Sequence, residues 1–274
     1  MVRRFQKYFL AVLLLSIFPL AGCENDLFGF FASTDLDERW QARDTFNFLS
    51  SADRNISLGD DYSFIVLNDT HILNGNGRGL EKLKDVMGRD GNIKFVVFNG
   101  DITQNGKRED IEKFISVAGS LGVPCYPAVG NHDVYFGNWP IWKDLIGSTC
   151  YRINGGSTTL LILDSANAYF GVKQLDWLEN ELRNAVGRVF IFTHINMFVG
   201  SPDMHQFTDV RERARVTSLL NGRCDVMFSG HAHKRIIKEA GGVKYITVED
   251  YRDNEIYCQV WVSKDGIRWE FKKL

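Results

Sequence analysis

Apolar positions along this chain follow two rhythms. Strand-length runs at 63–67, 93–98, 125–129, 188–193 and 224–229 are rich in β-branched and aromatic residues, the pattern of strands buried within a sheet. Between them, stretches at 80–87, 109–121, 172–185 and 210–220 read as helices. Three later runs, at 243–248, 256–262 and 267–271, are set off by turn signals at Gly241-Gly242 and Lys264-Asp265-Gly266, and these predict closing antiparallel strands. Strands alternating with helices and then ending in strands predict an α/β sandwich, two sheets covered by helices. Nearer the N-terminus, residues 35–49 predict a helix capped by Thr34 or Asp35, with Trp40, Phe46 and Leu49 roughly on one side. Such a stripe faces a core more often than a partner.

Composition adds bounds. The 274 residues are 45% hydrophobic and 24% charged, ordinary globular values, with a formal net charge of -2. That balance gives no general attraction for a nucleic-acid polymer, and no basic run supplies a local one. Arg3, Arg4 and Lys7 precede an apolar stretch at 8–20, the form of a secretory signal and shorter than the roughly 20 residues of a spanning helix. Leu20-Ala21-Gly22-Cys23 resembles a bacterial lipobox, which implies cleavage before Cys23, its acylation, and attachment to a lipid bilayer in the cell envelope outside the cytoplasm. The expected organisation is a lipoprotein signal at 1–22, a tether at 23–60 and one catalytic body at 61–274. Within the tether, the 27–31 stretch is too apolar for a solvated linker and is expected on the membrane interface or packed on the body. Beyond Cys23 the cysteines are Cys125, Cys150, Cys224 and Cys258. An even count in an exported chain permits disulfides, while Cys125 and Cys224, each opening an apolar run, also read as buried thiols.

The ends of the strand runs carry the chemistry. Asn68-Asp69-Thr70-His71, Asn99-Gly100-Asp101, Gly130-Asn131-His132-Asp133, His194 and Gly230-His231-Ala232-His233 each follow one. Ligands of open α/β sheets bind outside the carboxyl ends of the strands, so these loops can converge. Asp69 and His71 are expected on the same side of an extended segment, with His231 and His233 repeating the spacing. Carboxylate, imidazole and amide donors without thiolate suit zinc, manganese or iron in an open, catalytic kind of site.

This ordered set resembles the calcineurin-like metallophosphoesterase superfamily from about residue 63 to 233, and Leu161-Ile162-Leu163-Asp164-Ser165 with Gly171, Gln174 and Trp177 is similar to its strand-to-helix segment. The resemblance implies a four-layer α/β/β/α sandwich with a dinuclear metal site at the C-terminal ends of the strands. It implies one ion on Asp69, His71, Asp101 and His233 and a second on Asp101, Asn131, His194 and His231, with Asp101 between them and a bridging hydroxide as nucleophile. His132 is implied as the general acid, with Asp133 orienting its ring. Asp101 is followed by Ile102-Thr103-Gln104-Asn105-Gly106, which lacks the tyrosine ligand of purple acid phosphatases, and Gly-Asn-His-Asp looks more like the cyclic-nucleotide phosphodiesterase branch. The expected activity is hydrolysis of a small phosphorylated substrate, whether phosphodiester, phosphomonoester or nucleotide; the alternative is a metal-containing binding or scaffold lipoprotein. Asp164 is expected to be structural, His205 a loop histidine, and Trp139 and Trp142 to pack locally rather than stack a base.

Overall fold

The computed structural model describes residues 35–198 and 209–274. The signal-like segment, Cys23, the 27–31 stretch and His205 lie outside them.

One sheet has the order β11-β10-β1-β2-β3 and the other β4-β5-β6-β7-β9-β8. The first is built from β1 (Tyr62–Leu67), β2 (Ile93–Asn99), β3 (Cys125–Ala128), β10 (Ile256–Ser263) and β11 (Gly266–Lys273). The second holds β4 (Tyr151–Asn154), β5 (Thr158–Ile162), β6 (Arg188–Phe192), β7 (Val226–Ser229), β8 (Ile236–Ala240) and β9 (Val243–Thr247). Parallel pairing runs β1-β2-β3 and β5-β6-β7-β9, with antiparallel strands outside. Every residue of β1 is buried, as expected of a strand covered on both faces.

Three apolar layers confirm the four-layer sandwich. Between the sheets Phe64 stacks on Phe95 at 4.6 Å and meets Phe190 edge-on at 5.2 Å, contacts worth about 0.5–1.5 kcal/mol each beyond their buried area. Outside the first sheet lie α2 (Leu83–Arg89), α3 (Arg108–Gly119) and α4 (Trp139–Leu145). Outside the second lie α5 (Val172–Arg183) and α6 (Val210–Leu220). Trp139 and Trp142 are buried in the first of these layers, so they pack as expected.

The differences from the sequence reading have physical causes. β9 is not one of the closing antiparallel strands: it extends the parallel set beside β7, and the turn at 241–242 joins it to β8, whose mostly exposed residues gave little apolar signal. The predicted N-terminal helix stops early. Here α1 (Leu36–Gln41) is capped by Asp35, which accepts from Asp37 N, and the following backbone turns to bond 146–154 instead, with Ser148 N donating to Thr45 O at 2.7 Å and Ile56 N to Asn154 O at 2.9 Å. Trp40, Phe46 and Leu49 nevertheless all reach the body, on Trp177, Tyr151 and the inter-sheet core.

Arg39 and Asp164 form a buried ion pair, Nε to Oδ2 2.6 Å and Nη2 to Oδ1 2.9 Å, and Nη2 also reaches Asn167 Oδ1 at 2.6 Å. Asp164 is thus structural. Cys125, Cys150, Cys224 and Cys258, the cysteines among the described residues, are free and buried, and burial pushes the thiols of Cys125 and Cys258 up to about 12. Among the described residues no helix is long and apolar enough to cross a membrane.

Candidate metal centre

Each predicted site residue follows the C-terminal end of a strand. Asp69 and His71 come after β1, Asp101 after β2, Asn131 and His132 after β3, His194 after β6, and His231 and His233 after β7, so both sheets contribute. The loops interlock through the backbone: Asp69 N donates to Gly100 O, His71 N to Asp101 O, and Gly230 N to His194 O. Two glycines permit the approach. A Cβ on Gly130 would lie 2.1 Å from Asp101 N, and one on Gly100, whose φ is +93°, would lie 2.5 Å from the His194 ring.

The local geometry corrects one expectation. Asp69 and His71 do not share a face of an extended segment, because their φ values are 50° and 45°; Asp101, His231 and His233 are also left-handed, at 47°, 64° and 49°. Such conformations cost on the order of 1–3 kcal/mol each and cluster at functional sites. Pairing of the 69–72 backbone with 100–102 imposes the bend, and the bend directs both side chains into the centre.

Each carboxylate has one oxygen held by the protein and one turned inward. Asp69 Oδ2 accepts from His231 N at 3.0 Å and from Asn68 Nδ2. Its Oδ1 faces Nε2 of His233, His71 and His194 at 3.3, 3.7 and 3.9 Å. Asp101 Oδ1 accepts from His132 N at 2.9 Å, while Oδ2 faces Nε2 of His194, His71 and His132 at 3.2, 3.9 and 3.9 Å. His194 donates from Nδ1 to Asn99 O at 3.2 Å, which turns Nε2 toward the aspartates.

The donors fit metal ions on a direct criterion. Asp69 Oδ1, His71 Nε2, Asn131 Oδ1 and His194 Nε2 are buried and without hydrogen-bond partners, a cost of about 1–3 kcal/mol per group unless something else binds them. Donor atoms of Asp69, His71 and His233 lie within 4.8 Å of one another, as do those of Asp101, His194 and His231. Oxygen and imidazole donors at that spacing suit divalent cations.

On the protein's own charges, burial pushes the carboxyl of Asp69 up, but the facing rings of His233 and His71 and the charge of His194 hold it well below the usual range. Asp101 is lowered in the same way, chiefly by His194 against burial. Burial disfavours a charged His194, yet Asp101 and Asp69 raise it to about 9.

His132 stands at the rim, 13% exposed, its ring edge-on to His71 at 4.8 Å. Its Nδ1 is 2.8 Å from Gln104 O, so Nδ1–H donates to that carbonyl and Nε2 is left facing the centre. Asp133 does not orient this ring, contrary to expectation. Its Oδ1 accepts from Thr103 N and Oγ1 at 2.8 and 2.9 Å, and Oδ2 from Gly130 N and Ile102 N at 2.9 and 3.2 Å. Those buried loop amides need an acceptor, and Asp133 is nearest. Burial, with the charge of Asp101, raises its carboxyl to about 6. Gln104 could not be found by sequence because it acts through a backbone oxygen.

Tyr135 was also missed: its hydroxyl accepts from Asn131 Nδ2 at 2.9 Å, and its ring lies 5.2 Å from that of His132. Asp250 and Asp253 lie near His233, but Asp250 caps α7 (Tyr251–Asn254), accepting from Asp253 N and Asn254 Nδ2.

Comparison with known proteins agrees with this geometry. The family model for calcineurin-like phosphoesterases matches residues 62–235. A Fibrobacter succinogenes protein named "Probable cyclic nucleotide phosphodiesterase" is 27% identical over 154 residues, which span 53% of this chain and 59% of that protein. A dimetal phosphatase from Danio rerio has a similar fold, with TM-score 0.63 and 15% identity over 77% of this chain and 96% of its own. GAP50, the anchor in the inner membrane complex of Plasmodium, superposes with TM-score 0.60 and 13% identity over 78% of this chain and 85% of its own.

Proposed function

The chain belongs to the calcineurin-like phosphoesterase family, and from that premise we propose that it is a two-metal hydrolase of small phosphodiesters, held outside the cytoplasm by an acylated Cys23. The observation that carries the reading is the set of buried, unpartnered donor atoms on Asp69, His71, Asn131 and His194 facing a common centre beneath His132. The 27% identical relative named for cyclic nucleotides supports a diester, and the residue range matched in that relative includes only 59% of its length.

Asp69, His71, Asp101 and His233 would hold one ion and Asp101, Asn131, His194 and His231 the other, with Asp101 contributing to both. Bound manganese, iron or zinc would supply an activated water at neutral pH and positive charge for phosphoryl oxygens. The chain's own residues prepare the rest. His132, tautomer fixed by Gln104 O, presents Nε2 to the centre, where its protonated form can give a proton to the departing oxygen. Asp133 holds the loops after β2 and β3 together, and so keeps Asp101 and His132 in register.

The test uses the chain beginning at residue 23 with Cys23→Ser, loaded with manganese, on bis-p-nitrophenyl phosphate and p-nitrophenyl phosphate. Metal-dependent turnover favouring the diester is the expected result. Ion binding without turnover of either ester would leave the non-catalytic scaffold as the better account, as the fold alone does not decide function.

A further inference from the structure

We infer that Tyr135 is a positioning residue that fixes Asn131 as an oxygen donor to the metal centre; this rests on the metal-site reading above. A primary amide presents an oxygen and a nitrogen on nearly isosteric arms, and only the oxygen can ligate a divalent cation. Asn131 is 4% exposed, so the arm turned away from the centre must be satisfied by protein. Its Nδ2 donates to the Tyr135 hydroxyl at 2.9 Å, while its Oδ1 is buried without a partner. A hydroxyl oxygen behind the amide therefore selects the arm that faces the ions. Without it, the NH2 group would lose the acceptor it has among the described residues, and the two orientations would become closer in energy.

Tyr135 is itself held in place. It opens the 3-10 turn Tyr135–Gly137, whose backbone is closed by Asn138 N to Tyr135 O at 3.0 Å, and Asn138 Nδ2 ties the turn to Asn105 O at 2.7 Å. Its ring is 9% exposed and lies against His132. The same side chain thus touches a metal donor through its hydroxyl and the proton donor through its ring. The competing account is that it only packs, and that account concerns the ring alone.

Tyr135→Phe separates the two, since it keeps the ring and removes one oxygen. The ion affinity of the Asn131 site should fall about 10- to 100-fold, the usual range for losing a residue that orients a ligand. Affinity at the other site should not change, and thermal unfolding of the chelator-treated protein should shift only by the small amount that one lost buried hydrogen bond entails. Competitive titration of manganese or zinc against a chromophoric chelator reads both sites without recourse to activity. The decisive control is Asn131→Asp, whose two equivalent oxygens need no selection: in that background Tyr135→Phe removes only a hydrogen bond to the outer oxygen and should lower affinity markedly less than in the wild type. Equal losses in both backgrounds, or no loss in the wild-type background, would overturn the inference while leaving the metal centre standing. A wild-type protein that binds no ion would overturn the metal-centre reading and this inference together.

Discussion

Arg39→Ala is the most informative perturbation outside the centre, because Arg39 lies before the family-matched region yet is wholly buried within the fold. Its guanidinium engages both oxygens of Asp164, at 2.6 and 2.9 Å, with relative side-chain exposures of 0% and 1%. Removing it leaves a buried carboxylate whose Oδ1 keeps, among the described residues, the Ala166 amide at 3.1 Å. Breaking a buried pair from one side costs about 3–5 kcal/mol. At about 2–4 °C per kcal/mol for a domain of this size, Tm should fall by about 6–20 °C. Replacing both partners by apolar residues, as in Arg39→Met with Asp164→Leu, should cost less than either single change, because no uncompensated charge remains.

The same substitution should reach the metal centre. Asp164 begins the turn containing Ser165, whose Oγ accepts from Ile195 N at 2.8 Å, and Ile195 adjoins His194. Loosening that turn should weaken ion binding at the His194 site before it affects the one held by Asp69 and His233. Calorimetric unfolding of chelator-treated protein and chelator-competition titration measure the two effects separately. A loss below about 1 kcal/mol, within the range of exposed pairs, with unchanged ion affinity, would refute both steps and make residues 35–58 a passive cover.

Asp101→Ala should lose ions from both sites together with activity, since both inward-facing ligand sets use it; full ion content by elemental analysis would contradict its shared position. His132→Ala should retain the ions and lose rate most on esters with poor leaving groups, so equal losses on activated and unactivated esters would count against a proton-donor role. Ion binding should release protons near pH 7.5, because His194 is raised from its ordinary 6.5 to about 9 and must deprotonate to ligate. By the same sign, that shift stabilises the ion-free fold fully below pH 6.5, and the contribution fades as pH rises through about 9. Titration calorimetry in buffers of different ionisation heat counts the protons, and none released at pH 7.5 would exclude the shift. Asp133→Asn should lower Tm and disturb Asp101 rather than alter the pH dependence of His132, whose ring it does not touch.

What was legible in the sequence is what strand periodicity and strand ends encode. The runs that became β1, β2, β3, β6 and β7 are apolar on both faces, so their limits show in the sequence, and the polar residue after each limit is one that the sheets bring to a common edge. Side-chain direction was not legible by the same rule. Asp69 and His71 converge through left-handed backbone imposed by pairing with the 100–102 loop, a tertiary cause that no two-residue spacing reports. Asp133 does not reach the His132 ring because amides of its own loop and of the loop after β2 take its oxygens. Gln104 acts by a carbonyl that every residue has, and Tyr135 by a hydroxyl in a turn with no repeat. Residues that would touch the ions are restricted in type by chemistry and so stand out in a single sequence, whereas residues that orient them need only offer an acceptor in the right place, and place is supplied by the fold.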